Sequence, residues 1–457
     1  MSVPRQPGKL TKHPLLIIVL LCAALSGTAG AVSAEALQLT LGEAVRMAQQ
    51  RNPDASLARN GEESAQVALQ RARGAFLPDL EASGAATEQY EHGDSADYAT
   101  TSLKTRATLN LFNGFADSAA LAASQLQLSA SSAELKRQLQ TTAFEAATRF
   151  IAVLTSKELV LVEKENLENQ QLLLEQIGAW YQAGSRSLTD LYRQQAETAQ
   201  AELDLLQARR NLEVARVELL QTLALPPSTE LVVLPAEFEG MNALQDPDLE
   251  QLYQQALQSR PDLQAKALQV EVAGEGIREA KSGYLPRLDL FAEAGSSYSG
   301  LNDGRSFNDQ FTDDNLGTAV GLTLNIPLFD RDQTRTSVAQ ARIEQADASA
   351  EQARLRYQVG VEIGQALADY QTAQKQAEVT LTQLKAARQA LAAAEERYAV
   401  GASTWTDLSD TRTAFVLASS NEINARYQVL QQRLALAFYR GDIEQVLSNT
   451  LQPEKQS

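Results

Sequence analysis

The side chains of this sequence whose types and spacing could do chemistry are carboxylates. Asp407 and Asp410 lie three residues apart, so a helix would carry both on one face. The sequence has 1 cysteine, Cys22, and 2 histidines, of which only His92 follows the first 34 residues. This composition excludes disulfide frameworks, thiolate nucleophiles, zinc sites of cysteine and histidine, and any Ser-His-Asp triad not built on His92. Carboxylate chemistry stays open without a supporting motif, and we predict no enzyme activity, no cofactor and no metal.

The carboxylates belong to a motif that occurs twice. Tyr-x-x-Gly-(x)5-Asp-Leu begins at Tyr181 and again at Tyr398. A Leu-Pro-x-Leu motif also occurs twice, beginning at Leu77 and Leu285. The chain is therefore a tandem duplication, and its function must come from a doubled unit.

The start of the chain predicts secretion. Basic residues precede the apolar run Leu15–Leu25, and small residues follow up to Ala34, so we predict a signal peptide over residues 1–34. The apolar run is too short to span a bilayer as a helix. The formal net charge is −17, and loss of a basic leader would make it more acidic. Such a surface repels nucleic acid, so we expect no nucleic-acid partner.

Long helices are predicted where proline is absent, between Pro78 and Pro226 and between Pro327 and Pro453. In the first half, Gly114 to Tyr181 is about 68 residues, or roughly 100 Å of helix. A return helix, Leu188 to Leu223, and an entry helix, Leu41 to Ala75 with a break at Pro53, are each about half as long. Placed end to end, these two would match the long helix.

Each half also contains an amphipathic hairpin. From Leu103 to Leu111 and from Leu316 to Ile326, apolar residues alternate with polar or small ones, which is typical of a strand with one apolar face. A free hairpin is marginal in water, and the strand lengths approach the roughly 9–11 residues that cross a membrane. Four strands cannot enclose a channel, so we expect several chains to contribute.

The chain is thus divided into five segments. These are a signal peptide (1–34), a first repeat (35–225) with its hairpin at 80–112, an inter-repeat equatorial segment (226–247), a second repeat (248–447) with its hairpin at 288–329, and a tail (448–457). Leu205, Leu212 and Leu219 are spaced seven residues apart, which is typical of a coiled coil. A trimeric coiled-coil adhesin or periplasmic scaffold would share this heptad spacing and the leader. It would not need two amphipathic hairpins with equal flanking motifs.

The motifs resemble those of the TolC-like outer membrane efflux proteins. The resemblance rests on the two Leu-Pro-x-Leu motifs, on Leu-Phe-Asn-Gly at Leu111 and Pro-Leu-Phe-Asp at Pro327, and on the two Tyr-x-x-Gly motifs. It implies a mainly α fold with a membrane β-barrel. Three identical chains would form a 12-stranded barrel in the outer membrane of a Gram-negative bacterium, four strands from each. The barrel would continue into a long periplasmic α-helical barrel with a mixed α/β equatorial belt.

The resemblance also implies function and partners. The protein would be the exit duct of a tripartite efflux system, passively conducting substrates from an inner-membrane pump of the RND, ABC or MFS type and a periplasmic adaptor. A duct for type I protein secretion or for heavy-metal cation efflux would use the same fold. The barrel would contact outer-membrane lipid, and the transported substrate is not predicted.

By the same resemblance, the Tyr-x-x-Gly turns lie at the periplasmic tip, where the duct closes and adaptors dock. Gly184 and Gly401 would leave room for a partner hairpin, or would only stop the helices. Asp407 and Asp410 would line a ring at the constriction. Helix capping could explain Asp407 by itself, but not Asp410.

Gating links are expected from Tyr181, Arg186, Asp190 and Tyr398. The family joins a tyrosine and an arginine of the second turn to an aspartate of the first. This sequence has Ser403 where the arginine would stand, and Arg186 holds that place in the first turn, so we expect a gate that is weaker or reversed between the halves. Three phenylalanines at the strand-to-helix junctions would form a lower aromatic girdle or pack the barrel onto the duct: Phe112, Phe115 and Phe329.

Overall fold

The computed structural model describes residues 37–90, 98–234, 248–301 and 305–450. The predicted signal peptide, His92, the greater part of the predicted equatorial segment and the last seven residues lie outside these ranges.

The first half begins with a short strand. Two short helices, two longer strands, one long helix and a return helix follow it. In order these are β1 (Leu37–Leu39), α1 (Leu41–Arg51), α2 (Pro53–Gly74), β2 (Asp79–Gln89), β3 (Tyr98–Asn113), α3 (Ala116–Gln182) and α4 (Leu188–Thr222). Thr40 and Glu43 form a capping box at the start of α1. The expected break falls at Asn52, whose side chain caps α2 with Pro53 in its first turn.

The second half repeats this order. It has β4 (Leu231–Val233), α5 (Leu249–Ser259), α6 (Pro261–Lys281), β5 (Arg287–Ser299), β6 (Gly317–Asn325), α7 (Gln333–Ala399), α8 (Trp405–Arg440) and α9 (Ile443–Thr450). Three details differ from the expectation. Strand β6 ends at Asn325, before the predicted hairpin end at 329. A π-helical turn over Asp309–Asp314 lies in the connection between β5 and β6. Helix α9 runs past residue 447, the predicted end of the second repeat.

The two hairpins form one antiparallel sheet in the order β2-β3-β5-β6. Strand β3 joins the halves, since it pairs with β2 on one side and with β5 on the other, with a bulge between Asn110 and Phe112. One face is apolar and uncovered in the single chain. Val320 is 76% exposed, Leu322 62% and Leu80 72%.

The helices form two antiparallel pairs. α3 packs against α4, and α7 packs against α8, while the entry helices α2 and α6 pack along the other ends of α3 and α7. Each long helix has 67 residues, which is about 100 Å at 1.5 Å per residue. The sheet lies at their first residues and the turns lie at their last, so the two ends of the molecule are about 100 Å apart.

The largest core lies between these ends. It includes Phe150 and Ile151 of α3, Leu219 of α4 and Leu434 of α8, and β1 and β4 pair in parallel over it. The sequence did not predict this ladder, because three-residue strands are too short to show a period.

Candidate functional site

The repeated Tyr-x-x-Gly motif is a Schellman helix end. In the first turn the Gly184 amide donates to the Tyr181 carbonyl at 2.9 Å, and the Ser185 amide donates to the Trp180 carbonyl at 2.8 Å. The second turn repeats both bonds, from Gly401 to Tyr398 at 3.1 Å and from Ala402 to Arg397 at 2.8 Å.

Both turn glycines have positive φ, +74° at Gly184 and +75° at Gly401. An added Cβ would meet nothing within 4 Å at either glycine. Glycine is therefore favoured by its backbone conformation rather than by close packing.

The return helices begin with side-chain caps. Ser187 accepts a hydrogen bond from the Asp190 amide at 3.0 Å, and Thr404 accepts one from the Asp407 amide at 3.1 Å. The Asp407 carboxylate completes a capping box by accepting the Thr404 amide at 3.2 Å, and it accepts the Ser403 hydroxyl at 3.1 Å. Hydrogen bonds with the Thr404 side chain and amide, and then with Ser403, hold the pKa of Asp407 below its ordinary value.

Asp407 and Asp410 are both exposed near the start of α8. Their spacing puts them on neighbouring positions of one helix face, as the sequence indicated. Arg193 takes the place of Asp410 in the first half, and its guanidinium lies 5.7 Å from the Trp405 ring centroid. The two halves therefore present opposite charges at this position.

Of the expected gating residues, Arg186 and Tyr398 meet. The Arg186 guanidinium lies 4.2 Å from the Tyr398 ring centroid, and it donates a hydrogen bond to the Tyr398 carbonyl at 2.8 Å. The Tyr398 side chain is buried, and within the described ranges its hydroxyl has no hydrogen-bond partner. Burial raises the pKa of Tyr398, and the negative charge of Asp190 adds to this while Arg186 opposes it.

In the described structure neither Tyr181 nor Asp190 is hydrogen-bonded to Arg186 or Tyr398. Tyr181 is 39% exposed, and among the residues that the structure describes none donates a hydrogen bond to the Asp190 carboxylate. The tyrosine-to-aspartate hydrogen bond that the resemblance implies is therefore absent within one chain.

An aromatic core behind the two turns was not predicted from the sequence. Trp180 lies edge-on to Tyr398, with ring centroids 5.9 Å apart, and the Trp405 indole donates to Gln194 at 3.0 Å. Gln194 in turn donates to the Gln170 side chain at 2.7 Å. A signal was present, because these are the only 2 tryptophans of the chain and each stands four residues from a turn glycine.

The three phenylalanines lie at the opposite end of the helices. Phe112 and Phe115 are in edge-to-face contact, with ring centroids 5.1 Å apart, and Phe329 is 86% exposed. Both junctions use left-handed backbone just before the long helix, at Gly114 and Phe115 in the first half and at Arg331 and Asp332 in the second. The three phenylalanine side chains therefore project from the base of the sheet and are not part of a buried core.

Within the described ranges, none of the helices is both long and apolar enough to cross a membrane. No group of three or more histidine, cysteine, aspartate or glutamate side chains there is placed to hold a metal ion.

Comparison with known proteins identifies the architecture. The model of the outer membrane efflux protein family matches residues 44–225 and 252–442, which are the greater part of both halves. The chain belongs to the outer membrane efflux protein family. Proteins of this TolC-like family are outer-membrane channels of Gram-negative bacteria that form homotrimers and work with an adaptor and an inner-membrane transporter. They serve as exit ducts of tripartite efflux and secretion systems.

Individual members of the family agree with this match. The outer membrane protein TolC of Escherichia coli K12 is 25% identical over 437 residues, covering 94% of this chain and 87% of TolC. The alkaline protease secretion protein AprF of Pseudomonas aeruginosa is 24% identical over 333 residues, covering 70% of this chain and 65% of AprF. The outer membrane protein VceC of Vibrio cholerae has the same fold, with a TM-score of 0.74 at 19% identity over 88% of this chain and 96% of VceC.

Proposed function

We propose that this chain forms the outer-membrane duct of a multidrug efflux system, closed at its periplasmic tip and selective for cations there. The observation that carries the proposal is the separation of two unlike ends. An uncovered apolar sheet lies at one end of two 67-residue helices, and exposed carboxylates beside two tight turns lie at the other. Lipid would cover the sheet, since stable proteins in water rarely leave such a patch exposed.

Trimer assembly would close the sheet. Its edge strands, β2 and β6, have no further strand partner within the described chain. We propose that β6 of each copy pairs with β2 of the next, so that three four-stranded sheets make one 12-stranded barrel. Repeats 35–225 and 248–447 would each give one hairpin per chain, with 226–247 and 448–457 in the equatorial belt. Phe112, Phe115 and Phe329 would face the lower lipid interface.

At the tip, we propose that Asp407 and Asp410 from three chains form a ring around the axis. The exposure of both carboxylates and their shared helix face support this role. Asp407 would serve twice, because its carboxylate also caps α8. The surfaces around Gly184 and Gly401 would receive the adaptor, since there is open space beyond each glycine Cα.

The gate would use the first-half arginine. Arg186 donates a hydrogen bond to the Tyr398 carbonyl and lies over the Tyr398 ring. The arginine of the link would thus come from the first turn, whereas the resemblance implies an arginine of the second turn. Asp190 and the exposed Tyr181 would be left to meet a neighbouring copy. Exposed ion pairs contribute only about 0–1 kcal/mol each, which suits a closure that docking must release.

The experiment is conductance of the purified protein in planar bilayers. We expect cation-selective channels that are blocked by multivalent cations from the periplasmic side. In Asp407→Ala/Asp410→Ala both the selectivity and the block should weaken. Glu168 is an exposed carboxylate on α3 rather than on α8, so Glu168→Ala should change neither. Absence of any channel would refute the duct, and unchanged selectivity would remove the two aspartates from the constriction.

The alternative cargo is a secreted protein, and the name of the relative AprF favours it as the second candidate. Deletion of the gene distinguishes the two. Increased accumulation of dyes or antibiotics would support drug efflux with a pump of the RND, ABC or MFS type. Loss of one exported protein with normal drug tolerance would support secretion, and sensitivity to a heavy metal would support cation efflux.

A further inference from the structure

The register of the sheet places a group of charged side chains near its middle on the face opposite the exposed leucine, valine and alanine side chains. Ala107 of β3 stands opposite Ala292 of β5, which stands opposite Val320 of β6. One residue along the strands, the opposite face carries Glu81, Arg106 and Glu293 in a single cross-strand row. Successive residues of a strand point to opposite faces, so Glu81, Arg106 and Glu293 lie on the side opposite Ala107, Ala292 and Val320.

The charged side chains contact one another. The Lys104 amine lies 2.8 Å from the Glu293 carboxylate, and the Arg106 guanidinium lies 3.9 Å from the same group. Arg106 also covers the Phe291 ring at 4.7 Å. The two cations are nearly half exposed, 47% and 45%, while Glu293 is 25% exposed. The cations therefore project beyond the carboxylate that they share.

This face cannot be the lipid face of a barrel. A lysine or arginine facing lipid near the bilayer midplane costs about 2–4 kcal/mol, and these residues stand near the middle of β3. The opposite face offers leucine, valine and alanine to lipid. If the sheet closes as proposed above, Glu81, Lys104, Arg106 and Glu293 must face the lumen.

We propose that these four residues form a mixed-charge belt inside the barrel, whose charges balance one another and act independently of the aspartates at the tip. This inference rests on the proposed duct. Each chain contributes two cations and two carboxylates, so the belt is nearly neutral and lets charged or zwitterionic cargo of either sign pass. Removing one sign should expose the other, because Lys104 and Arg106 both lie within 4 Å of Glu293 and Glu81 stands opposite Arg106 on the neighbouring strand.

The test uses full-length trimers in planar bilayers, with multivalent ions added to the barrel side, so that the ions reach the belt before the tip. Glu81→Gln/Glu293→Gln should leave a cationic belt that inositol hexakisphosphate blocks at least about tenfold more tightly at 0.1 M salt. Lys104→Gln/Arg106→Gln should instead increase block by hexamminecobalt. Both effects should largely disappear at 1 M salt, where the screening length falls to about 3 Å.

Two controls keep the outcome decisive. Arg305→Gln removes a charge from the loop between β5 and β6, where Arg305 pairs with Asp314, and it should change neither block. Trimers of each variant are first verified by their mobility on a gel. The single variants Glu81→Gln and Lys104→Gln, each of which removes one of the four charges, replace any double variant that fails to assemble. Equal block in wild type and all belt variants, in channels whose tip selectivity still depends on Asp407 and Asp410, would refute the belt alone. Absence of conductance in the wild type would refute the duct itself.

Discussion

The two turns at the tip share one backbone and differ in their side chains. Both end a 67-residue helix with a Schellman motif, a glycine near φ +75° and a capped return helix. Yet Tyr181 is 39% exposed, whereas its counterpart Tyr398 is buried. Backbone geometry has thus been kept through the duplication while the side chains took different positions.

The capping carboxylates show the same divergence. Asp407 accepts hydrogen bonds from Thr404 and Ser403, whereas the Asp190 side chain accepts none within the described ranges. The first turn has Arg186 in the place of Ser403, and that arginine crosses to Tyr398 of the second turn. The duplication therefore produced one asymmetric contact instead of two equal ones, and the following experiments test that asymmetry.

The largest expected effect separates the two tyrosines. Tyr398→Ala should destabilise the tip by about 3–5 kcal/mol, because it leaves a cavity beside Trp180. Tyr181→Ala should change stability by less than about 1 kcal/mol, since its side chain is exposed. Amide hydrogen exchange at the ends of α3 and α7 measures both.

Tyr398→Phe is the matched control for this pair. It removes only a hydroxyl that is buried without a hydrogen-bond partner in the described structure, so protection should be kept or improved. Equal loss of protection in Tyr181→Ala and Tyr398→Ala would contradict the asymmetry.

A smaller effect should follow from Arg186→Ser, which gives the first turn the residue of the second. Because Arg186 is half-buried, the lost contact with the Tyr398 ring is worth about 0.5–2 kcal/mol, which corresponds to a shift of about two- to thirtyfold towards open channels. Single-channel recordings in bilayers measure the open fraction.

Arg193→Ser serves as the comparison, because Arg193 lies against Trp405 and not against Tyr398. An open fraction unchanged by Arg186→Ser, or raised equally by Arg193→Ser, would show that the contact with Tyr398 does not keep the tip closed.

The smallest effect is a dependence on pH at the start of α8. The pKa of Asp407 is lowered in the folded chain by hydrogen bonds from Thr404 and Ser403. Its stabilising contribution is therefore complete above the unfolded pKa, near pH 4, and is lost as the pH falls through the lower folded value. Hydrogen exchange of the first turn of α8 between pH 6 and pH 3 should show this loss, and Asp407→Asn should abolish the pH dependence. An identical profile in that variant would place the titration elsewhere.

Much of the fold follows from local sequence signals. The lengths of the long helices, the break at Asn52 and Pro53, and the positive φ at Gly184 and Gly401 each depend on residues that lie within a few positions. The alternation in β3 and β6 likewise predicted strands with one apolar face. The β1–β4 ladder was missed because its two strands have three residues each and stand about 190 residues apart.

Within the candidate site, the sequence identified the residues and not all of their partners. The duplicated motif predicted two equivalent turns because backbone conformation is set by nearby residues, above all by glycine, and by the caps Ser187 and Thr404. Only the tertiary structure decided that Arg186 would cover Tyr398 and that the two tryptophans would pack behind the turns. Those contacts join residues more than 200 positions apart in the chain. Burial depends on how the two helix pairs meet in space, which a repeat in one chain does not specify.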